Sequence, residues 1–251
     1  MKQSLRHHKI IELVRQKGYL STEDLVATLA VSPQTIRRDL NILAELDLIR
    51  RHHGGAASPS SGENADYGER KQFFSRQKNA IAQEAVKLIP NGSSLFIDIG
   101  TTPEAVAHAL LAHERLRIVT NNLNAAHLLR QNKTFDITMA GGSLRSDGGI
   151  IGEATVNFIS QFRLDFGILG ISAIDVDGSL LDYDYHEVQV KRAIIDSSRQ
   201  TLLVVDHSKF TRQAMVRLGH LEDVDYLLTD ELPNAIAKNL QDSSTKVILC
   251  R

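Results

Sequence analysis

Apolar side chains recur at helical spacing three times in quick succession near the start of the chain. Ile10, Leu13 and Val14 fall at i, i+3 and i+4, which predicts a helix over about 5–17 that Gly18 ends. Ser21-Thr22-Glu23-Asp24 has the form of a capping box, and Leu25, Val26 and Leu29 supply the stripe of a second helix. Ser32-Pro33 opens a third, Ser as N-cap and Pro in the first turn, with Ile36, Leu40 and Leu43 on its buried face. Three short helices this close cannot be a parallel-sheet unit; they define a helix-turn-helix core. Leu48-Ile49, then Arg50-Arg51-His52-His53, then Gly54-Gly55-Ala56 predicts a small β-hairpin wing.

Residues 57–68 are small and polar and read as a flexible linker. A helix follows with Phe74, Ile81, Ala85 and Leu88 on one face, and Pro90-Asn91-Gly92 stops it. The pattern then changes. Short apolar runs at 94–99, 116–120, 135–140, 164–170, 201–205, 226–229 and 246–249 alternate with helical stretches at 103–111, 123–131, 155–161, 186–199 and 233–240. Such alternation predicts an α/β domain with a largely parallel sheet. The organisation expected is a winged helix over 3–58, a linker over 59–73 and an α/β domain over 74–251.

Composition changes this picture in one respect. The net charge of −1, taken alone, argues against a nucleic-acid partner. The first 58 residues, however, hold nine Lys/Arg against six Asp/Glu, a charge of +3, which leaves −4 on the rest. A basic head on an acidic body suits a nucleic-acid module attached to something else. The single cysteine, Cys250, excludes an intramolecular disulfide and a cysteine-based zinc site. No run approaches a membrane span and the N-terminus lacks the apolar stretch of a signal peptide, so a soluble cytoplasmic protein without a membrane partner is expected.

With Ile36, Leu40 and Leu43 buried, Gln34, Arg37, Arg38 and Asn41 turn to the other face of the third helix. Gln and Asn bond adenine edges, and Arg forks onto guanine or phosphate. Ser32 and Thr35 lie in the first turn, where hydroxyls and helix N–H groups reach phosphate. Arg50, Arg51, His52 and His53 of the wing add backbone or minor-groove contacts. Asp39 is expected to orient an arginine rather than touch DNA. A charged surface helix or a protein-binding winged helix shares some of these features; the helix spacing, caps and cationic wing together favour double-stranded DNA.

In the body, Asp98-Ile99-Gly100-Thr101-Thr102-Pro103 joins an apolar run to a helix start. A Gly turn that bares N–H groups, two hydroxyls and a helix N-terminus make a phosphate cradle, or equally a plain strand–helix connection. It has neither a P-loop lysine nor GxGxxG spacing, so no nucleotide cofactor is indicated. Thr120-Asn121-Asn122, Gly141-Gly142, Gly170 with Ser172, and Asp206 to Phe210 follow other strands, and ligands of open α/β sheets bind beyond those strand ends. Lys209 is then a candidate phosphate counter-charge, with a solvated surface lysine as the alternative. Asp98, Asp165 and Glu187 can accept from ligand hydroxyls, or cap helices, or pair with Lys191 or Arg192. The acid-rich stretch of Asp175, Asp177, Asp182, Asp184, His186 and Glu187 could hold a catalytic base, although Asp175 to Gly178 reads as a turn.

The segment Ser32-Pro33-Gln34-Thr35-Ile36-Arg37-Arg38-Asp39-Leu40 resembles the recognition-helix signature of DeoR-family bacterial repressors. Arg6, Ile10 with Val14, and His53-Gly54-Gly55-Ala56 also fit that family, as do Phe96 to Leu110, Gly148 to Thr155 and Phe162 to Gly170 in the body. The resemblance covers nearly the whole chain. It implies a body similar to sugar-phosphate isomerases, used as a sensor and not as an enzyme. It further implies operator DNA as partner, glycerol 3-phosphate as effector, and dimers or tetramers. The alternatives are a phosphosugar isomerase with a DNA-tethering head, and a winged helix that binds protein.

Overall fold

The computed structural model describes residues 3–17, 19–46, 48–52, 54–57, 67–72, 74–241 and 243–251. The head consists of α1 (Gln3–Lys17), β1 (Tyr19–Ser21), α2 (Thr22–Leu29), α3 (Pro33–Glu45), β2 (Arg50–His52) and β3 (Gly55–Ala57). The caps form as the spacing predicts. Ser21 Oγ accepts from Asp24 N at 3.0 Å while the Asp24 carboxylate accepts from Ser21 N at 3.1 Å. Ser32 caps α3, with Pro33 in its first turn. Ile10, Val14, Leu25, Leu29, Ile36, Leu40 and Leu43 meet in one core with Ile49 and Ala56. β1 was not expected: three residues are too few to show a period, and they become a strand by pairing with β3, which also pairs with β2.

The region read as linker contains a helix, α4 (Tyr67–Gln72). Composition marks it as mobile, but it is docked on the body. The Tyr67 hydroxyl donates to Glu104 at 2.6 Å and accepts from Asn124 Nδ2 at 3.0 Å.

The body runs α5 (Ser75–Lys87), β4 (Ser94–Ile97), α6 (Thr101–Ala109), β5 (Arg117–Thr120), α7 (Leu123–Leu129), β6 (Asp136–Met139), β7 (Ser143–Leu144), β8 (Ile150–Ile151), α8 (Glu153–Ile159), β9 (Leu164–Leu169), β10 (Ala173–Ile174), β11 (Ser179–Asp182), α9 (Tyr185–Asp196), β12 (Ser198–Val204), β13 (Val216–His220), β14 (Tyr226–Thr229), α10 (Asn234–Asn239) and β15 (Lys246–Leu249). Seven strands form one sheet in the order β15-β14-β12-β9-β4-β5-β6, every neighbouring pair parallel. These are the seven apolar runs of the sequence. Their alternation sorts side chains onto two faces: Leu95, Ile97, Ile168, Leu202 and Val204 pack with α5 and α6, whereas Phe96, Leu169, Leu203 and Val205 pack with α9 and α10. The short antiparallel pieces, β7 with β8 and β10-β11-β13, were not foreseen.

Chain order reverses between β4 and β9: from β4 the chain moves through β5 to β6, and it returns to lie on the other side of β4 as β9. The carboxyl ends of β4 and β9 are therefore the topological switch point, where such sheets leave a crevice.

Candidate functional site

In the head, Gln34, Arg37, Arg38 and Asn41 are all exposed along one side of α3, and Arg51 is exposed on the wing with Arg50 half-buried beside it. His53 lies outside the described residues. Ser32 and Thr35 are at the N-terminus of α3, where the Ser32 hydroxyl accepts from Thr35 N at 3.2 Å and lies 2.9 Å from the Thr35 hydroxyl. Asp39 is turned inward and buried, holding Arg6 through two hydrogen bonds and His7 at 2.9 Å. Burial opposes the Asp39 charge, yet Arg6 and His7 keep the carboxyl below its ordinary range. This pair pins the recognition helix to α1 and leaves the exposed cations on the opposite side.

In the body, a cleft opens at the switch point. Ile99 to Pro103 follow β4, Gly170 to Ser172 follow β9, and Val204 and Lys209 come from β12 and the turn after it. Glu187 and Lys191 of α9, Asp147 and Arg70 complete the wall. Gly100 caps α6 with φ of +131°, a value that L side chains rarely adopt. That turn starts α6 two residues earlier than Pro103 suggested, and proline is harmless there because first-turn N–H groups have no helical partner. The first amides of α6 border the cleft, as an anion site requires.

Of the body residues selected from sequence, Gly100, Thr101, Thr102, Gly170 and Lys209 come together at this cleft. Asp98, Thr120, Asn121, Asn122, Gly141 and Gly142 do not line it, and the reason is visible for most of them. Thr120 Oγ1 donates to Ile97 O at 2.6 Å, Asn121 Nδ2 donates to Ile150 O at 3.1 Å, and the Asn122 side chain caps α7. Gly142 is needed for packing, since a Cβ there would lie 2.2 Å from Thr155 Oγ1 and 2.7 Å from Ile151 O. Nothing around Gly141 explains its glycine.

Asp98 is sealed beneath the cleft and pairs with Lys191, one of the alternatives the sequence leaves open for it, within a larger charge cluster. Lys191 Nζ lies 2.6 Å from Asp98, 2.9 Å from Glu187 and 3.8 Å from Asp182, and is itself 1% exposed. Burial opposes the ammonium, but Asp98, Glu187 and Asp182 together hold it well above the usual lysine range. Burial, with Glu187 close by, pushes Asp182 up to about 7. Burial also acts on Glu187, but Lys191 and Arg145 keep it below the ordinary carboxylate range. Asp165 instead accepts from Ser94, and His186 is exposed at the start of α9. The Asp175 to Gly178 stretch is the expected turn, between β10 and β11.

Arg70 and Asp147 were not anticipated from sequence. Both lie in polar, irregular or short segments without periodicity, and only the fold brings them to the cleft. Lys78 of α5 is buried and donates to the Arg70 carbonyl, and burial pushes its amine down to about 8.

Among the described residues no group of three His, Cys, Asp or Glu is placed to hold a metal ion, and no helix is long and apolar enough to cross a membrane. A winged helix joined to a parallel α/β domain with a cleft at its switch point is the architecture of a DNA-binding protein that carries a second, separate domain. Residues 6–62 match the family model of the DeoR-like helix-turn-helix domain, and residues 74–231 match that of the DeoR C terminal sensor domain. The chain belongs to the DeoR family. It is 82% identical to the glycerol-3-phosphate regulon repressor of Haemophilus influenzae, covering 100% of this chain and 98% of the relative. Identity to the protein of that name from Escherichia coli is 62%, with 100% of both covered, and to the repressor CsqR of Escherichia coli 43%, with 97% and 94% covered. A solved ribose-5-phosphate isomerase in complex with phospho-erythronic acid overlaps 54% of each chain at a TM-score of 0.41 and 15% identity.

Proposed function

We propose that this chain represses genes of glycerol-3-phosphate metabolism by binding double-stranded operator DNA through the head. Glycerol 3-phosphate, or another small phosphorylated sugar or polyol, enters the cleft of the body and releases it. The observation that carries this reading is the presence on one chain of an uncovered cationic recognition helix and an anion-suited cleft at the sheet's switch point. The relatives' names supply the regulon.

Gln34, Arg37 and Arg38 read base edges, Ser32 and Thr35 flank phosphate at the helix start, and Arg50, Arg51 and His53 brace the wing on the backbone. In the cleft, the amides and hydroxyls from Gly100 to Thr102 with Lys209 take the phosphate, while Glu187 and Ser172 face the hydroxyl end. One winged helix makes few base contacts, so two heads of a dimer or tetramer occupy half-sites about one helical turn (~34 Å) apart. The protein acts in the cytoplasm, where operator DNA is.

The body senses and does not catalyse. The relatives that match along the whole chain are named as repressors, which supports a sensor over an enzyme. The test is fluorescence anisotropy of a labelled operator duplex titrated with the full chain, with and without glycerol 3-phosphate. Salt-dependent binding that the effector weakens supports the reading. Binding indifferent to every phosphorylated polyol, or turnover of ribose 5-phosphate or glucosamine 6-phosphate, contradicts it.

A further inference from the structure

We infer that Arg70 is an effector-binding residue, and that the ligand's phosphate takes it from Asp147, so that occupancy of the cleft is felt at the helix leading to the head. The inference rests on the functional reading above. Arg70 sits on α4, the first described element after the wing, and its side chain joins the cleft wall with Gly100, Thr101, Thr102 and Lys209. Its placement is fixed from several sides. Tyr67 of the same helix bonds Glu104, in the first turns of the helix whose N-terminus borders the cleft, and the Arg70 carbonyl accepts from buried Lys78.

Arg70 pairs with Asp147 at 3.6 Å, and its guanidinium carbon lies 5.8 Å from the centroid of the Tyr67 ring. Asp147 does not depend on it. Its Oδ2 also faces Arg145 at 3.3 Å, and its Oδ1 accepts from Gly149 N at 3.1 Å. If Arg70 turns away, Asp147 keeps a cation and an amide. Of the other cations at the cleft, Lys191 is already shared among three carboxylates. A phosphate carries more charge than Asp147 and presents oxygens that match the guanidinium fork, so it is the stronger partner. Arg70 belongs to α4, the described helix that follows the wing in the chain, so a phosphate held by Arg70 is held from that helix.

The test is calorimetric titration of full-length wild type, Arg70→Gln, Arg70→Lys, Asp147→Asn and the Arg70→Gln/Asp147→Asn double variant. Glycerol 3-phosphate and inorganic phosphate are the ligands, and thermal midpoints check folding. Arg70→Gln weakens glycerol 3-phosphate binding about tenfold or more, the loss of one charge-assisted contact. Arg70→Lys lies between it and wild type. Asp147→Asn tightens binding, because the competing carboxylate is gone, and this gain disappears in the double variant. If Arg70→Gln does not fold, Arg70→Lys and Asp147→Asn still give opposite signs. Binding within about twofold of wild type for the Arg70 variants, a loss on Asp147→Asn, or a gain that persists in the double variant each overturns the exchange. A wild type that binds neither ligand overturns this inference and the functional reading together, whereas a normal wild type with indifferent variants overturns this inference alone.

Discussion

The head and the body handle recognition in opposite ways. The head displays it: Gln34, Arg37, Arg38 and Asn41 share the exposed side of a single helix, with local caps at Ser21 and Ser32 and a core drawn from fewer than 50 consecutive residues. The body gathers it: Arg70, Gly100, Asp147, Gly170, Lys191 and Lys209 come from segments far apart in sequence and meet only because β4 and β9 are neighbours in the sheet. A displayed site tolerates a change of one side chain, since neighbouring contacts persist. A gathered site shares its charges, so one substitution strands several partners.

The contrast is sharpest at Lys191. Replacing it by Met leaves Asp98, Glu187 and Asp182 buried without their common cation and costs about 3–5 kcal/mol. Denaturant unfolding of the full chain measures this, and a loss below about 1 kcal/mol would mean the cluster is not shared. Ile36→Ala in the head costs about 2–5 kcal/mol by opening a cavity beneath the recognition helix. Operator binding is expected to fail while calorimetry still detects effector binding by the body; loss of both would show that the two units do not fold separately. Arg37→Ala removes one displayed contact and costs about 1–3 kcal/mol of operator affinity, read by anisotropy. An unchanged affinity would displace α3 from the DNA. The smallest effect belongs to His207, which Asp230 contacts at 2.6 Å and whose pKa that bond raises above 6.5. The stabilisation is complete below pH 6.5 and is lost as pH rises through the elevated value. Asp230→Asn removes it at a cost of under about 1 kcal/mol near pH 6 and little at pH 9, measured by thermal unfolding at both.

The same difference explains what the sequence discloses. Elements of the head follow from short-range signals: the Ser21 and Ser32 caps and the Ile36, Leu40, Leu43 spacing require neighbours within a few residues. The seven strands of the body were equally legible because each is a continuous apolar run between turn residues. Gly100, Thr101, Thr102, Gly170 and Lys209 are legible as strand-end residues, since the carboxyl ends of β4, β9 and β12 converge. Thr120, Asn121 and Asn122 also follow a strand, and nothing in the sequence separates a switch point from an outer strand. β5 lies one strand beyond β4, and there these polar groups serve backbone carbonyls and the cap of α7. Lys191 could not be distinguished from a surface lysine without knowing that α9 covers the cleft floor. α4 was hidden because its anchors, Glu104 and Asn124, lie 37 and 57 positions from Tyr67.

In the proposed repressor the displayed and gathered sites are energetically coupled. Calorimetric titration of glycerol 3-phosphate into the full chain, alone and saturated with operator duplex, tests it most directly. Linkage requires operator to weaken effector binding by the same factor by which effector weakens operator binding, about 5- to 150-fold for ordinary couplings. A matching pair of factors in that range is the predicted result. An effector affinity that is the same with and without operator contradicts the account.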